Sequence, residues 1–245
     1  MKKNINIFKI VKNIHHFHHF VIFFHPPDAR RWLRFANFAN KIKLQFAMQD
    51  LSAIPIETHP FPPFVPIGAR VLMLGTFPPK PHRWAMEFFY PNRTNDMWKI
   101  MGLIFFGNPF QFYDAEAKTY RLPQLKRFLE QQGIALFDTA TRVRRLKDNA
   151  SDKFLDIVQT IDLSHFFYTC PSITAVVTAG EKATAVVAQM AGVQPPKMGE
   201  AVECELAGHA FTLYRMPSSS RAFPMALEKK AEAYRKMFRQ IGYDI

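Results

Sequence analysis

The stretch Ala69-Arg70-Val71-Leu72-Met73-Leu74 leads directly into Gly75-Thr76-Phe77-Pro78-Pro79-Lys80-Pro81. A short and mostly apolar run such as the first six residues is typical of a strand that is buried on both faces. Gly75 ends this run, and the prolines that follow restrict φ and remove backbone donors, so we expect a rigid loop. Ligands of open parallel sheets bind outside the carboxyl ends of the strands. The loop after Gly75 is therefore the first candidate for a functional site.

Strand and helix patterns alternate along the rest of the chain. Short apolar runs predict further strands at residues 134 to 137 and 173 to 177, and Gly133 is placed to end the helix before the first of them. The predicted helices span residues 95 to 106, 122 to 132, 180 to 190 and about 224 to 241, and residues 202 to 206 and 210 to 214 form a hairpin or two short strands. This alternation predicts an α/β fold, a three-layer α/β/α sandwich with a short, mostly parallel central sheet.

The first 47 residues differ from the rest in composition. The chain of 245 residues has a formal net charge of +12, and residues 1 to 47 carry +8 of it, which leaves +4 for residues 48 to 245. Five of the nine histidines also lie in this first segment, without the acidic or cysteine partners that would favour a metal site. We interpret residues 1 to 47 as a disordered, basic and histidine-rich arm, or as the result of a start placed upstream of Met48. Residues 48 to 245 are then a single domain.

Composition excludes several classes of protein. Cys170 and Cys204 are too few for a disulfide framework and indicate a reducing compartment, so we expect a cytoplasmic protein. The longest apolar run of the first segment, Phe20 to Phe24, is far shorter than the roughly 18 residues of a membrane-spanning helix, and no signal-peptide cleavage site follows it. The absence of GxGxxG and GxxxxGK[ST] patterns argues against a dinucleotide or nucleoside triphosphate ligand.

Three segments besides the Gly75 loop carry candidate functional side chains. Residues 88 to 98 combine aromatic rings, which are suited to stack on a base, with amides, which are suited to orient a water or read a base edge. Spacing alone favours the simpler interpretation, in which Thr94 or Asn95 caps the next helix and the aromatic residues belong to the core. Residues 216 to 223 form a serine-rich loop with one cation, which fits phosphate binding or a plain turn. Residues 142 to 147 hold four cations, which indicates a solvated helix face or a DNA contact.

The order of these segments resembles the uracil-DNA glycosylase superfamily over roughly residues 66 to 245. In that family a Gly-x-Asp/Asn-Pro motif after the first strand positions the hydrolytic water, and a His-Pro-Ser motif lies in a loop that enters the minor groove. The corresponding residues here are Gly75-Thr76-Phe77-Pro78 and Met216-Pro217-Ser218. Phe77 and Met216 thus replace polar residues of the family motifs, and neither can supply a hydrogen bond to a developing charge.

The hypoxanthine-DNA glycosylase branch of the superfamily is more similar. It too has Gly-x-Phe-Pro, lacks the histidine and depends on an asparagine in an Asn-x-Phe-Trp motif, which Asn95-Asp96-Met97-Trp98 matches with Met97 in place of Phe. The resemblance implies a DNA glycosylase of base excision repair with Asn95 as its catalytic residue. Such an enzyme hydrolyses the N-glycosidic bond of a deaminated base, here hypoxanthine or else uracil or xanthine, and needs no metal or other cofactor.

The resemblance also implies a set of binding residues around Asn95, which would orient the water or contact the base. Expected base-binding residues are Gly75, Thr76, Phe77, Phe89 and Tyr90, the aromatic rings stacking on a base flipped out of the helix. Expected DNA-binding residues are Pro78, Lys80, Ser218, Ser219, Ser220, Arg221 and Phe223. The serines would contact phosphates, and Arg221 or Phe223 would fill the gap in the base stack. The expected partner is duplex or single-stranded DNA with a damaged base, bound by a monomer that has no contact with a membrane.

Two other functions fit the same sequence. A non-catalytic nucleic-acid-binding module of this fold would keep the serine-rich loop and lack the chemistry that Phe77 and Met216 cannot support. A glycosidase for free nucleosides would need neither the cations of residues 142 to 147 nor the serine-rich loop.

Overall fold

The computed structural model describes residues 51 to 147 and 152 to 245. The chain divides into Met1–Ala53, of which only the last three residues are described, and Ile54–Ile245. The arm expected at residues 1 to 47 and the alternative start at Met48 lie outside the described residues. In the described ranges no helix combines the length and hydropathy needed to cross a bilayer.

A five-stranded sheet forms the centre of Ile54–Ile245. The strands of the described chain are β1 (Ile56–Thr58), β2 (Val71–Gly75), β3 (Tyr113–Asp114), β4 (Thr119–Tyr120), β5 (Ile134–Asp138), β6 (Ala140–Arg145), β7 (Leu155–Thr160), β8 (Ala175–Ala179), β9 (Ala201–Leu206) and β10 (His209–Met216). The central sheet has the order β5-β2-β8-β10-β9, in which only β9 is antiparallel. The carboxyl ends of β2, β5, β8 and β10 therefore lie along one edge. Every residue of β2 and β5 is buried, as the apolar runs predict.

Helices cover the two faces of this sheet. They are α1 (Met97–Phe106), α2 (Leu122–Gln132), α3 (Leu163–Thr169), α4 (Glu181–Met190) and α5 (Leu227–Gln240). Phe105 of α1 contacts Phe128 of α2 and Phe238 of α5, at ring-centroid distances of 4.9 and 5.3 Å, so these three helices form one layer. Connections between parallel strands are almost always right-handed, and this rule places α3 and α4, which follow β5 and β8, on the opposite face. The predicted three-layer α/β/α class is confirmed.

A second sheet accounts for the basic run at residues 142 to 147. β1, β6 and β7 form an antiparallel sheet of three strands, and most of the run lies on β6 rather than on a helix face. Arg145 is buried and forms an ion pair with Glu57 of β1 at 2.9 Å, and Arg144 pairs with Asp156 of β7 at 3.1 Å. Two of the four cations therefore hold the sheet together, which weakens the interpretation of the run as a DNA contact.

The proline-rich segment before β2 is extended, as the sequence indicates. Phe64 exchanges two backbone hydrogen bonds with Leu136 of β5, with N···O distances of 3.0 and 2.8 Å. The chain thereby crosses the outer side of β5 and brings His59 to the functional edge of the central sheet.

Candidate functional site

Two residues at the carboxyl ends of neighbouring strands define the centre of the site. Gly75 and Asp138 are paired in register across β2 and β5. A Cβ atom at position 75 would lie 2.4 Å from Asp138 Oδ1, closer than real side chains approach, and 3.7 Å from the Tyr90 hydroxyl. The predicted glycine at the end of β2 is thus required because its missing side chain leaves room for the Asp138 carboxyl group.

Asp138 is a buried carboxyl group with one basic neighbour. Its Oδ2 lies 3.0 Å from Nε2 of His59, whose ring packs against Phe77 and Phe137. Removal from water raises the pKa of Asp138, and the contact with His59 only partly opposes this effect. A carboxyl group in this state is suited to hold a proton at a pH where an exposed aspartate has lost it.

Asp152 is a second carboxyl group at the same edge. Thr76 Oγ1 donates a 2.8 Å hydrogen bond to Asp152 Oδ2. Burial raises the pKa of Asp152, the hydrogen bond from Thr76 opposes that shift, and the nearby charge of Asp138 adds to it. The charges of Lys182 and Arg145 favour the ionised form, and Lys182 Nζ donates a 2.8 Å hydrogen bond to the Asp152 carbonyl oxygen. Paired titratable groups whose pKa values are perturbed in this way cluster at functional sites.

Tyr90 supplies a hydroxyl group that lacks a partner. Its oxygen is buried and makes no hydrogen bond to any other described residue. Burial raises the pKa of Tyr90 well above its ordinary value, and the charges of Asp138 and Asp152 add to the shift. Its backbone is left-handed, with φ of 51°, which is strained for a bulky residue. A buried hydroxyl without a partner costs about 1 to 3 kcal/mol, and a ligand that bonds to it would recover that cost.

Asn95 lies at the start of α1 with its side chain fixed at one end. Its Oδ1 accepts a 2.9 Å hydrogen bond from the Met97 N–H. Its own N–H donates to the Asn92 carbonyl oxygen at 2.8 Å. The Nδ2 group has no hydrogen-bond partner among residues 51 to 147 and 152 to 245. The Oδ1 contact to the Met97 N–H therefore leaves the Nδ2 group of the same amide free to bind a ligand.

The serine-rich loop is held in place by a buried ion pair. Lys230 of α5 is completely buried and lies 2.9 Å from Asp96 Oδ2, and its Nζ also donates to the Ser220 carbonyl oxygen at 2.8 Å. The Asp96 N–H donates to the Ser219 carbonyl oxygen at 2.8 Å. These contacts join the loop to the start of α1, and therefore to Asn95. The Ser218 and Ser220 hydroxyl oxygens accept bonds from the N–H groups of Ser220 and Ala222.

Several predicted site residues adjoin the two carboxyl groups or belong to the serine-rich loop. Gly75, Thr76 and Tyr90 adjoin the two carboxyl groups, and Phe77 is half-buried with its ring centroid 5.4 Å from that of His59. Arg221 is exposed, and the Phe223 ring lies 5.9 Å from Lys230 Nζ. Ser218 and Ser220 are half-buried and Ser219 is buried.

Other predicted contacts occupy less accessible places. Phe89 has 3% of its surface exposed and packs among His59, Phe61, Phe88 and Phe137, so it gives a stacked base no open ring face. Pro78 is buried, and its carbonyl oxygen accepts from Arg145 at 3.1 Å. Lys80 is half-buried and precedes a 3-10 helix at Pro81–Arg83. Among the residues predicted to bind a base, Phe77 and Tyr90 are more accessible than Phe89, and among those predicted to bind DNA, Arg221 is more accessible than Pro78.

Three residues of the site carried no prediction of a catalytic or binding role. Asp138 and Asp152 lie in a segment that the sequence marks mainly by its cations. The position of Asp138 directly after a predicted strand is the signal that identifies it. His59 has no local signal, because only the path of the proline-rich segment across β5 brings it to this edge. No three His, Cys, Asp or Glu side chains in the described ranges are placed together to bind a metal ion.

The element order and the sheet topology define a three-layer α/β protein. The chain is similar to the solution NMR structure of a "putative Uracil DNA glycosylase from Methanosarcina acetivorans". The TM-score is 0.51 with 19% sequence identity, and the match covers 77% of this chain and 100% of that chain. No protein-family model matches the chain, and no curated protein matches it. At this identity the likeness concerns the fold, so the hypoxanthine branch stays a prediction.

We expect the substitution Gly75→Ala to displace the Asp138 carboxyl group and to leave the fold intact. The φ of Gly75 is outside the left-handed region, so alanine is compatible with the backbone, and the conflict falls on one side-chain oxygen. DNA affinity and the rate of any base excision are measured, and we expect losses in both. In an Asp138→Ala background the same substitution should have no further effect, because the opposing oxygen is gone. Equal losses in both backgrounds would contradict this account.

The raised pKa of Asp138 predicts a pH-dependent stability difference between the protein and Asp138→Asn. The folded state holds the proton to a higher pH than the unfolded state does, where the pKa is about 3.9. The contribution of Asp138 to the free energy of unfolding is therefore fully present below its pKa in the unfolded state, and it is lost as pH rises through its pKa in the folded state. Asparagine cannot ionise, so the stability of the variant relative to the protein should increase across that interval. Urea unfolding at a series of pH values measures this, and parallel curves would contradict it.

Proposed function

We propose that this protein is a DNA glycosylase that hydrolyses the N-glycosidic bond of a deaminated base, with hypoxanthine as the first candidate and uracil and xanthine as the alternatives. One observation carries the proposal. Two buried carboxyl groups, an unpartnered tyrosine hydroxyl and the amide of Asn95 surround the carboxyl edge of a sheet with the uracil-DNA glycosylase fold. Fold alone does not decide function, so the proposal depends on the polar groups of the site.

The polar groups can replace those that the family motifs lose at Phe77 and Met216. Met216 is 1% exposed and its side chain belongs to the core, and Phe77 packs against His59. The groups at this edge that can make hydrogen bonds to a ligand are the Asp138 carboxyl, the Tyr90 hydroxyl and the Asn95 Nδ2. A deaminated purine presents a carbonyl oxygen and ring nitrogens, which pair with donors and acceptors of this kind.

The reaction needs a nucleophile, a leaving group and a place for one proton. Water attacks the C1′ carbon of the deoxyribose, the C–N bond breaks, and its electron pair leaves with the base. Asn95 orients the water or bonds the departing base through Nδ2. Burial raises the pKa values of Asp138 and Asp152, so either carboxyl group holds a proton to a higher pH than an exposed aspartate does and is suited to exchange it with the water or the base. Fixed polar groups of this kind stabilise the charge that develops as the bond breaks.

The serine-rich loop is suited to position the DNA backbone. Its main chain is fixed by Asp96, Lys230 and Tyr234, the last through a 3.0 Å bond to the Pro217 carbonyl oxygen. Ser218 and Ser220 offer hydroxyl groups, and the guanidinium group of Arg221 is exposed. Contacts of these types to phosphate oxygens set the register of a protein on DNA and carry no sequence information.

A panel of oligonucleotides tests the proposal. The full chain is incubated with single strands and duplexes that each carry one hypoxanthine, uracil or xanthine, and alkali then cleaves any abasic sites. Strand breaks at one lesion would support a glycosylase and identify its base. Binding that weakens with salt and leaves every strand intact would instead indicate a non-catalytic module. Cleavage of free deoxyinosine with intact oligonucleotides would indicate a nucleoside glycosidase.

A further inference from the structure

A groove of about 310 Å³ lies beside the candidate site. The groove is lined by the start of α1 and the residues before it, by the β3–β4 hairpin and the segment before it, and by Arg221 of the serine-rich loop. The groove and the site share a boundary, because Thr94 directly precedes Asn95 and Arg221 directly follows Ser220. Its volume is at the lower end of the range for ligand pockets, about 300 to 1,000 Å³, which suits one nucleotide.

Aromatic rings form the floor and one wall of this groove. Trp98 and Phe112 are buried beneath it, with ring centroids 6.4 Å apart. Phe110 stands at the rim with 61% of its surface exposed, and Tyr113 is half-buried beside it. An exposed phenyl ring is a platform on which any nucleobase can stack.

The charge of the groove is positive. Its lining contains Arg93, Lys99 and Arg221 and no acidic residue. The guanidinium groups of Arg93 and Arg221 form no ion pair or hydrogen bond with other described residues. Lys99 lies 3.4 Å from Asp96 Oδ1, but the other oxygen of that carboxylate already pairs with Lys230. The groove therefore has two uncommitted cations and a surplus of positive charge.

We propose that this groove binds one unstacked nucleotide of the DNA strand that flanks the lesion. Its phosphate is bound by Arg93 and Arg221, and its base stacks on Phe110. The inference rests on the proposed action on DNA and extends it to a strand preference. Bases of an intact duplex are stacked on each other and cannot enter, so the groove favours single-stranded DNA.

Fluorescence anisotropy with undamaged DNA tests the groove independently of catalysis. The probes are a short labelled oligothymidylate and a duplex of the same length, measured with the full chain at several salt concentrations. We expect Phe110→Ala to weaken oligothymidylate binding about fivefold or more and to leave duplex binding unchanged. The double variant Arg93→Gln/Arg221→Gln removes both cations from this one phosphate and should lower the slope of log K against log salt for the single strand by about 0.7.

Matched variants distant from the groove provide the controls. Tyr168→Ala removes an aromatic residue that is 85% exposed on α3, and Lys236→Gln removes an exposed cation on α5; neither should change either affinity. Wild-type oligothymidylate affinity in Phe110→Ala, or an equal loss for duplex and single strand, would overturn the proposal. Displacement of the strand by equimolar thymidine monophosphate would overturn it as well. The probes carry no damaged base, so an inactive enzyme would leave this result unaffected.

Discussion

Lys230→Met is expected to lower the free energy of unfolding by about 3 to 5 kcal/mol, because it leaves a buried carboxylate without its main partner. Lys230 is fully buried against Asp96, and its Nζ also donates to the Ser220 carbonyl oxygen of the serine-rich loop. The nearby Lys99 compensates only in part, since its Nζ lies 3.4 Å from the other carboxylate oxygen. Urea unfolding monitored by circular dichroism measures the loss.

Two further variants separate charge burial from general damage to α5. Lys236→Met removes an exposed cation of the same helix and should change stability by no more than about 0.5 kcal/mol. The double variant Asp96→Asn/Lys230→Met removes both charges and should recover much of the lost stability. It would still lack the Lys230 bond to the Ser220 carbonyl oxygen, so its DNA affinity should be lower than that of the wild-type protein. A double variant as unstable as Lys230→Met would contradict the assignment to an uncompensated charge.

Asn95→Ala is expected to reduce the single-turnover rate of base excision by roughly 100-fold or more while DNA affinity changes little. The free Nδ2 group of Asn95 is the polar donor at the start of α1, next to the loop that positions the backbone. Alanine removes this donor and also the Oδ1 contact to the Met97 N–H. Excision under enzyme excess and anisotropy with the same lesion strand measure the two effects.

The contact of Asn95 Oδ1 with the Met97 N–H requires its own controls. Asn95→Asp keeps an oxygen for the Met97 N–H and deletes the amide donor, so it should preserve stability without restoring the rate. Asp162 is the N-cap of α3, and its Oδ1 accepts from the His165 N–H at 2.9 Å; Asp162→Ala removes this contact at a helix start and should leave the rate unchanged. Loss of DNA affinity in Asn95→Ala in proportion to its loss of rate would contradict a catalytic role.

The elements with uniform local signals could be predicted from the sequence. β2 and β5 are continuous apolar runs, and α2 ends at Gly133, which has a φ of 63° as the helix C-cap. In these segments composition, periodicity and end signals all favour the same structure, so tertiary contacts do not have to override them. The alternation of strands and helices then determines the order of the layers.

The three-stranded sheet could not be predicted in the same way. β1 has three residues, and β6 is so rich in arginine that its charge pattern obscures the alternation of buried and exposed positions. Its strands are joined by contacts between distant segments, among them the ion pair of Arg145 with Glu57 and a small buried cluster of Ala140, Val143 and Leu155. Pairings separated by so much of the chain leave no signal in a local window.

The candidate site likewise contains residues that local sequence patterns predict and residues that they do not. Gly75, Asn95 and the serine-rich loop follow strand ends or precede helices, where local patterns point to function. Tyr90 is predicted as a stacking ring, whereas its buried hydroxyl without a partner depends on how the loop folds over Gly75. The role of His59 beside Asp138 arises only when the proline-rich segment crosses β5.

The most direct test of the central claim is the release of a free base from DNA. The full chain, in excess, is incubated with a single strand that carries one hypoxanthine, and mass spectrometry quantifies free hypoxanthine together with abasic sites. We expect the two products in equal amounts from the wild-type protein, and both should form roughly 100-fold more slowly, or slower still, with Asn95→Ala. If uracil or xanthine is the natural lesion, the same equality should appear with that base. Intact strands with all three lesions, bound by the protein but without any free base, would contradict the account.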